Sequence, residues 1–288
     1  MNTLRLQHEE GRAVSVFAGD QLLFRYVHVS AQPLKESPKP YLHPLNSLAG
    51  DTLTNFRPND HPWHHGLAFT LTDVSGFNFW GGPTCRPEDG YKWRDNHGEQ
   101  RHVAWTKLAA AGNAATLAHT LEWHTPKGVL FREERTLGVT ANFDTQTWAL
   151  HWQARLVNVS GRELSLGNPH SFGGKPGSHY TGLTFRGARE LLDDHLDPTI
   201  KIIAEGGREG LEAVHGAAAR WMEWHGQLDE TLRRVIIRFE NNSGPLHWFV
   251  RRNGYPLAAF PVQFDQNLAV PASAALEIDH TLTFAALP

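Results

Sequence analysis

Three histidines and one carboxylate fall within six residues of this chain, in Asn59-Asp60-His61-Pro62-Trp63-His64-His65-Gly66-Leu67. A fourth histidine stands upstream between two prolines, in Pro40-Tyr41-Leu42-His43-Pro44-Leu45. Proline fixes φ, so such segments hold side chains in place without regular structure. His61 and His64 are three apart and can share one side of a turn. His64 and His65 are adjacent, and in an extended backbone they face opposite ways. Three chemistries fit this cluster. The histidines can brace a proline-rich loop by donating to carbonyls. An imidazole, with an ordinary pKa of about 6.5, can act as general acid or base on a sugar, or polarise its carbonyl. Alternatively His61, His64 or His65, and His43 can hold a divalent metal, with Asp60 as a further ligand or as the group that orients one of them.

Other residues extend this set. Trp63 and Trp80 offer flat apolar faces for a sugar ring. His43 and His170 would complete the wall of a site. Glu223, in Trp221-Met222-Glu223-Trp224-His225, reads as a base with a raised pKa if its neighbouring indoles desolvate it, and as a solvent-facing charge otherwise. Lys175 and Arg186 can bind hydroxyls or a carboxylate, or be surface charges, and Arg251 and Arg252 read the same way. Asp265 reads as a turn former. Cys85, the single cysteine, excludes an intramolecular disulfide and reads as incidental, in a loop. There is no glycine-rich phosphate loop and no nucleotide fingerprint.

The elements that must position these residues are strands. Hydrophobic residues recur with a period of two, as in Trp148, Leu150, Trp152, Ala154 and Leu156, against His151, Gln153 and Arg155 on the other face. About fifteen such runs are separated by Gly, Pro, Asn and Asp. Helix signals are confined to residues 187–195 and 226–234, each of which could give a short helix or a turn. No alternation of strands with helices points to a parallel α/β sheet. The expectation is an all-β chain: one large antiparallel β-sandwich domain over residues 1–288, with the extended supersandwich of galactose mutarotases as its fullest form. Two long loops, 30–63 and 81–100, flank a strand expected from His65 to Val74. Both should therefore reach one end of the sandwich.

Several of these segments carry a resemblance. Pro40 to Leu45, Arg57 to Leu67 and Gly76-Phe77-Asn78-Phe79-Trp80 resemble a widespread bacterial family of unknown function often labelled "methane oxygenase PmoA". Tyr180 to Arg186, Trp221 to Gly226 and Trp248 to Pro256 fit it too, so the resemblance spans most of the chain. The membrane subunit of methane monooxygenase with that name is a different protein, because no stretch here approaches the roughly 18 apolar residues of a membrane helix. The family tends to sit beside NAD-dependent sugar dehydrogenases. The resemblance therefore implies carbohydrate catabolism, with such a dehydrogenase as pathway partner. A looser similarity links Leu164-Ser165-Leu166-Gly167-Asn168-Pro169-His170-Ser171-Phe172 to the strand of aldose 1-epimerases that carries their acid histidine. Here Pro169 interrupts the match.

Composition narrows the classes. The chain has 288 residues, 18 histidines, 10 tryptophans and a formal charge of −3 from 27 basic and 30 acidic residues. That balance lacks the basic footprint of a nucleic-acid binder. Residues 1–10 lack the apolar core of a signal peptide, which gives the expectation of a cytoplasmic location. Together these features give an expected enzyme of the lyase or isomerase type, acting on a sugar or keto-sugar by proton transfer: epimerisation, β-elimination or hydration. His61, His64, His65 and Asp60 would form its centre, with His170 and Glu223 as the second choice. No cofactor is required, although a divalent metal fits. The alternatives are a carbohydrate-binding accessory protein and a metal-dependent oxygenase.

Overall fold

The computed structural model describes residues 3–251 and 254–287, so Arg252 lies outside the described residues. The chain is all-β, and two antiparallel sheets hold most of it. The nine-stranded sheet runs in space through Arg208–Glu209, Lys201–Ala204, Trp221–Gln227, Arg234–Asn241, Ala275–Leu287, Thr147–Asn158, Gly128–Asn142, Ala114–Thr125 and Glu99–Ala111. The eight-stranded sheet runs through Leu4–Glu9, Ala13–Ala18, Gln21–Val27, Tyr41–Leu45, Leu67–Thr70, Gly182–Arg186, Leu257–Phe260 and Phe249–Arg251.

The period-two pattern decides which face of each strand turns inward. Trp148, Leu150, Trp152, Ala154 and Leu156 are each at most 4% exposed, while Gln153 and Arg155 between them face solvent. The sheets meet through aromatic pairs that cross the interface. Phe24 packs on Trp148 at 5.8 Å, Phe69 on Trp123 at 5.9 Å, and Phe185 on Trp224 and Phe239 at 5.8 and 5.6 Å. A fully buried Phe side chain contributes roughly 1.5–3 kcal/mol, so these contacts weigh heavily in the stability of the sandwich. One buried cluster extends from Leu4 to Phe284. Within it lies a charged pair, Arg135 and Glu133, each 1% exposed. Tyr26 and Gln100 accept from Arg135, and Trp123 donates to Glu133. A buried ion pair is tolerated when its remaining donors and acceptors are met in this way.

Several sequence expectations need correction. Both loops contain regular structure. Residues 30–63 include the 3-10 turn Leu34–Glu36 and the strand Tyr41–Leu45, and residues 81–100 include the hairpin of Thr84–Arg86 with Gly90–Lys92. The strand expected from His65 to Val74 is two strands, Leu67–Thr70 and Asp73–Val74. Of the two segments that could give a short helix or a turn, both give turns: 187–195 the 3-10 turn Arg189–Leu191, and 226–234 the connection between two strands. The only α-helix among the described residues, Leu211–Val214, was not expected. Cys85 sits in a strand at 3% exposure rather than in an open loop, and burial pushes its thiol up. No described helix is long and apolar enough to cross a membrane.

Strand pairing places the site. Leu67 lies opposite Phe185, Arg186 opposite Leu257, and Leu257 opposite Arg251. The start of Leu67–Thr70 and the ends of three other strand segments therefore gather at one end of the eight-stranded sheet. The histidine-rich loop enters the sheet there.

Candidate functional site

The loop before Leu67 is a chain of tight turns. The amide of His61 donates to Pro58, that of His64 to His61, and that of Arg57 to His64. Its base is tied to a buried carboxylate. Glu36, 2% exposed, accepts from Arg57 Nε and Nη2 at 2.9 and 2.8 Å and lies 3.2 Å from His65 Nε2. Burial alone would raise the pKa of Glu36, but the bonds from His65 and Arg57 outweigh it and hold it at about 2. Lys39, 2% exposed, donates to the carbonyls of Glu36, Ser37 and Trp80, and burial brings it down to about 7. These bonds fix the loop from below.

Above this base is a cavity of about 270 Å³. His61 and His64 lie side by side on its floor, with ring centroids 4.9 Å apart. Trp63, Trp80, Tyr91, Tyr180, Phe249 and Tyr255 form its aromatic walls, and Lys175 and Arg251 lie at its cationic edge. No carboxylate is among the described residues that line it. Gly82, at φ +70°, lies against Trp63, and a β-carbon there would come 2.4 Å from the indole. A tyrosine pair closes the far wall, with Tyr91 and Tyr180 hydroxyls 2.8 Å apart.

The two floor histidines have opposite hydrogen-bond polarity. Nδ1 of His64 accepts from Arg186 at 3.2 Å, which places the neutral ring's proton on Nε2. Burial, with Arg186 beside it, holds His64 well below the usual histidine range. Nδ1 of His61 lies 2.9 Å from Asp60 Oδ2, close enough for an ion pair although off the line of a good hydrogen bond. That carboxylate favours the proton on Nδ1 and leaves Nε2 with the lone pair. Burial lowers the pKa of His61 and Asp60 raises it, with burial the larger effect. Arg186, 4% exposed, stacks on Tyr255 at 3.4 Å, and burial lowers it to about 10. Arg251 covers the same tyrosine at 4.1 Å.

The remaining candidates separate. His65 turns away from the cavity toward Glu36, and burial lowers it to about 4. His43 bonds Thr54 at 3.0 Å and stacks on Phe56, outside the cavity lining. His61, His64 and His43 therefore do not converge as a ligand set; Thr54 and Phe56 hold the third ring elsewhere. Asp60 lies outside the cavity lining, against His61, with its side chain 55% exposed. Arg186 lies beneath the floor. His170 is in the 168–177 turn beside His179 and Asp265, so Asp265 does more than form a turn. Glu223 lies on the outer face of the nine-stranded sheet. Burial raises its pKa, but hydrogen bonds from Arg238 and His225 outweigh this and lower it, the reverse of a desolvated base. The sequence did not single out Tyr91, Tyr255 or Phe249 as lining residues. Tyr180 and Tyr255 were visible only as members of the motifs Tyr180 to Arg186 and Trp248 to Pro256.

Residues 13–286 match the family of unknown function DUF6807, and the chain belongs to that family. No curated protein matches it. Among solved structures, the chain is similar to the Slr1438 protein from Synechocystis sp. PCC 6803, at 12% identity over 99% of this chain and 95% of that one. The TM-score of 0.35 is too low for that likeness to carry an argument.

Proposed function

We propose that this member of a family of unknown function is a cytoplasmic enzyme that moves a proton next to the carbonyl of a sugar or keto-sugar. The observation that supports this is the opposite polarity of His61 and His64 on the floor of one small aromatic cavity. His61 offers a lone pair, with Asp60 orienting the ring as in other base–orienter pairs. His64 offers an N–H, kept neutral by burial and by Arg186. Removing a proton from the carbon next to a carbonyl requires this combination: a base for the carbon and a donor for the oxygen that becomes an enolate. The positive charge of Arg186 behind His64, and of Lys175 and Arg251 at the edge, favours negative charge developing in the cavity. The volume of about 270 Å³ suits a small ligand, below the range of drug-sized sites. The indole faces of Trp63 and Trp80 suit the apolar side of a pyranose ring.

Epimerisation and β-elimination share this first step, and hydration of an unsaturated keto-sugar runs the elimination in reverse, with the same proton transfer last. A sugar dehydrogenase is the class of enzyme that would supply the keto-sugar, in line with the resemblance. The looser similarity to aldose 1-epimerases pointed to His170 as acid, but His170 lies outside the cavity lining, which favours His61 and His64 instead. The oxygenase label would require a metal within reach of the cavity.

The test is proton exchange. A panel of sugars and keto-sugars is incubated with the protein in D2O, and the carbon-bound proton next to the carbonyl is followed by NMR. Loss of that signal with wild type, and its retention with His61→Ala, supports the reading. Ligand binding without exchange would make the protein a carbohydrate-binding module. Turnover that consumes O2 and depends on added metal would make it an oxygenase.

A further inference from the structure

Behind the cavity wall, His170, His179 and Asp265 each present a donor atom, and the three atoms lie within 4.8 Å of one another. Two segments are pinned together to make this group. Nδ2 of Asn168 donates to the carbonyls of Gln263 and Phe264, its Oδ1 accepts from the amides of His170 and Ser171, and Ser171 Oγ bonds Asn267 at 2.6 Å. The result brings Asp265 Oδ1 within 3.3 Å of His179 Nε2 and 3.6 Å of His170 Nε2. The two imidazole centroids are 4.1 Å apart. His179 is 6% exposed and stacked flat on Phe264 at 3.8 Å; its Nδ1 has no hydrogen-bond partner, and its Nε2 has only the ion-pair contact with Asp265, off the line of a good hydrogen bond. A buried polar group in that state calls for an explanation, and a bound ion is one.

We infer that His170, His179 and Asp265 form a site for a divalent transition metal, and that the metal staples the 168–181 loop to the 263–267 loop. The spacings around Asp265 approach those of a coordination shell, and the two imidazole donor atoms lie within 4.8 Å of each other. Ligand atoms about 2.0–2.1 Å from one tetrahedral ion lie about 3.3 Å apart, close to the spacings around Asp265. Two imidazoles and one carboxylate suit zinc or ferrous iron rather than calcium or magnesium. The carboxylate side chain is 69% exposed, so the remaining positions open to solvent. Gly177's amide donates to Nδ1 of His170 at 3.1 Å, which leaves the metal-free ring's proton on Nε2. A metal on Nε2 moves that proton to Nδ1, so loading must break the Gly177 contact. Ser178 and Tyr180, on either side of His179, line the cavity, so the metal would stiffen a wall of the site without entering it. The inference stands independently of what the cavity binds.

The experiment uses the full chain, stripped with chelator and titrated separately with Zn2+ and Co2+. Bound metal is counted after desalting, and Co2+ also gives a visible spectrum that reports its ligands. The expected result is one equivalent in wild type and in His61→Ala/His64→Ala, affinity down about tenfold or more in His179→Gln and Asp265→Asn, and a higher melting temperature on loading. Asp265 is exposed, so Asp265→Asn tests the idea even where His179→Gln folds poorly. Absence of stoichiometric binding overturns it. So does binding that survives both substitutions, or binding lost only with His61 and His64.

Discussion

Acid should unfold this protein in a pH window set by buried histidines. His28 is 1% exposed, lies among His8, His102 and Trp105, and has no partner for Nδ1; burial lowers it to about 4. His280 is 5% exposed and stacked on Phe260, and burial lowers it to about 3. In the unfolded chain both titrate at about 6.5. Below that pH the unfolded state binds protons that the folded state refuses, so stability falls as pH falls. The loss approaches about 1.4 kcal/mol per pH unit per histidine and levels off once the folded ring protonates. At pH 5 each histidine costs about 2 kcal/mol, and the pair about 4, against a typical total stability of about 5–15 kcal/mol. His43, His65 and His179, each lowered to about 4, act in the same direction. Glu36, held at about 2, loses its contribution only as pH falls below about 4.5, so the two effects separate. Urea unfolding at pH 7.5 and pH 5.0 measures the difference. The double variant His28→Gln/His280→Gln should show a flatter dependence. A stability unchanged between the two pH values, or a slope unaltered in the double variant, would refute the assignment of these rings as buried and neutral.

Three further outcomes are expected. His61→Ala and His64→Ala should each lower the exchange rate about 10²–10⁴-fold with little change in melting temperature, and Asp60→Asn should lower it less; paired rate and melting measurements check this. Glu223→Gln should leave the exchange rate at wild-type level, because Glu223 lies on the opposite side of the sheet from the core; a large loss would return Glu223 to the site. Glu133→Ala should destabilise the fold by about 3–5 kcal/mol in urea, since it strands the buried Arg135.

The strand pattern was legible because period two is a local property: the Trp148 to Leu156 face could be read from spacing alone. The loop bearing His61 and His64 was legible for the same reason, since a three-residue spacing in a proline-rich turn is also local. What separates those two rings from His43 and His65 is not local. His65 is claimed by Glu36, 29 residues away, and His43 by Thr54 and Phe56. Glu223 was left between a desolvated base and a solvent-facing charge because its partner Arg238 comes from the neighbouring strand, through a register that no single segment shows. Asp265 looked like a turn former because the histidines beside it lie about ninety residues earlier in the chain.

The walls of the cavity come from segments near residues 61–64, 80–91, 175–180 and 249–257. The lining spans residues 61 to 257, so a fragment that lacks either end of that span contains only part of it. Ligand binding is therefore an all-or-none report of the native state, and a truncation library should show no partial binders. In a cell, occupancy of the site would track the amount of correctly folded protein, so variants far from the cavity would be felt there through abundance before they were felt through chemistry.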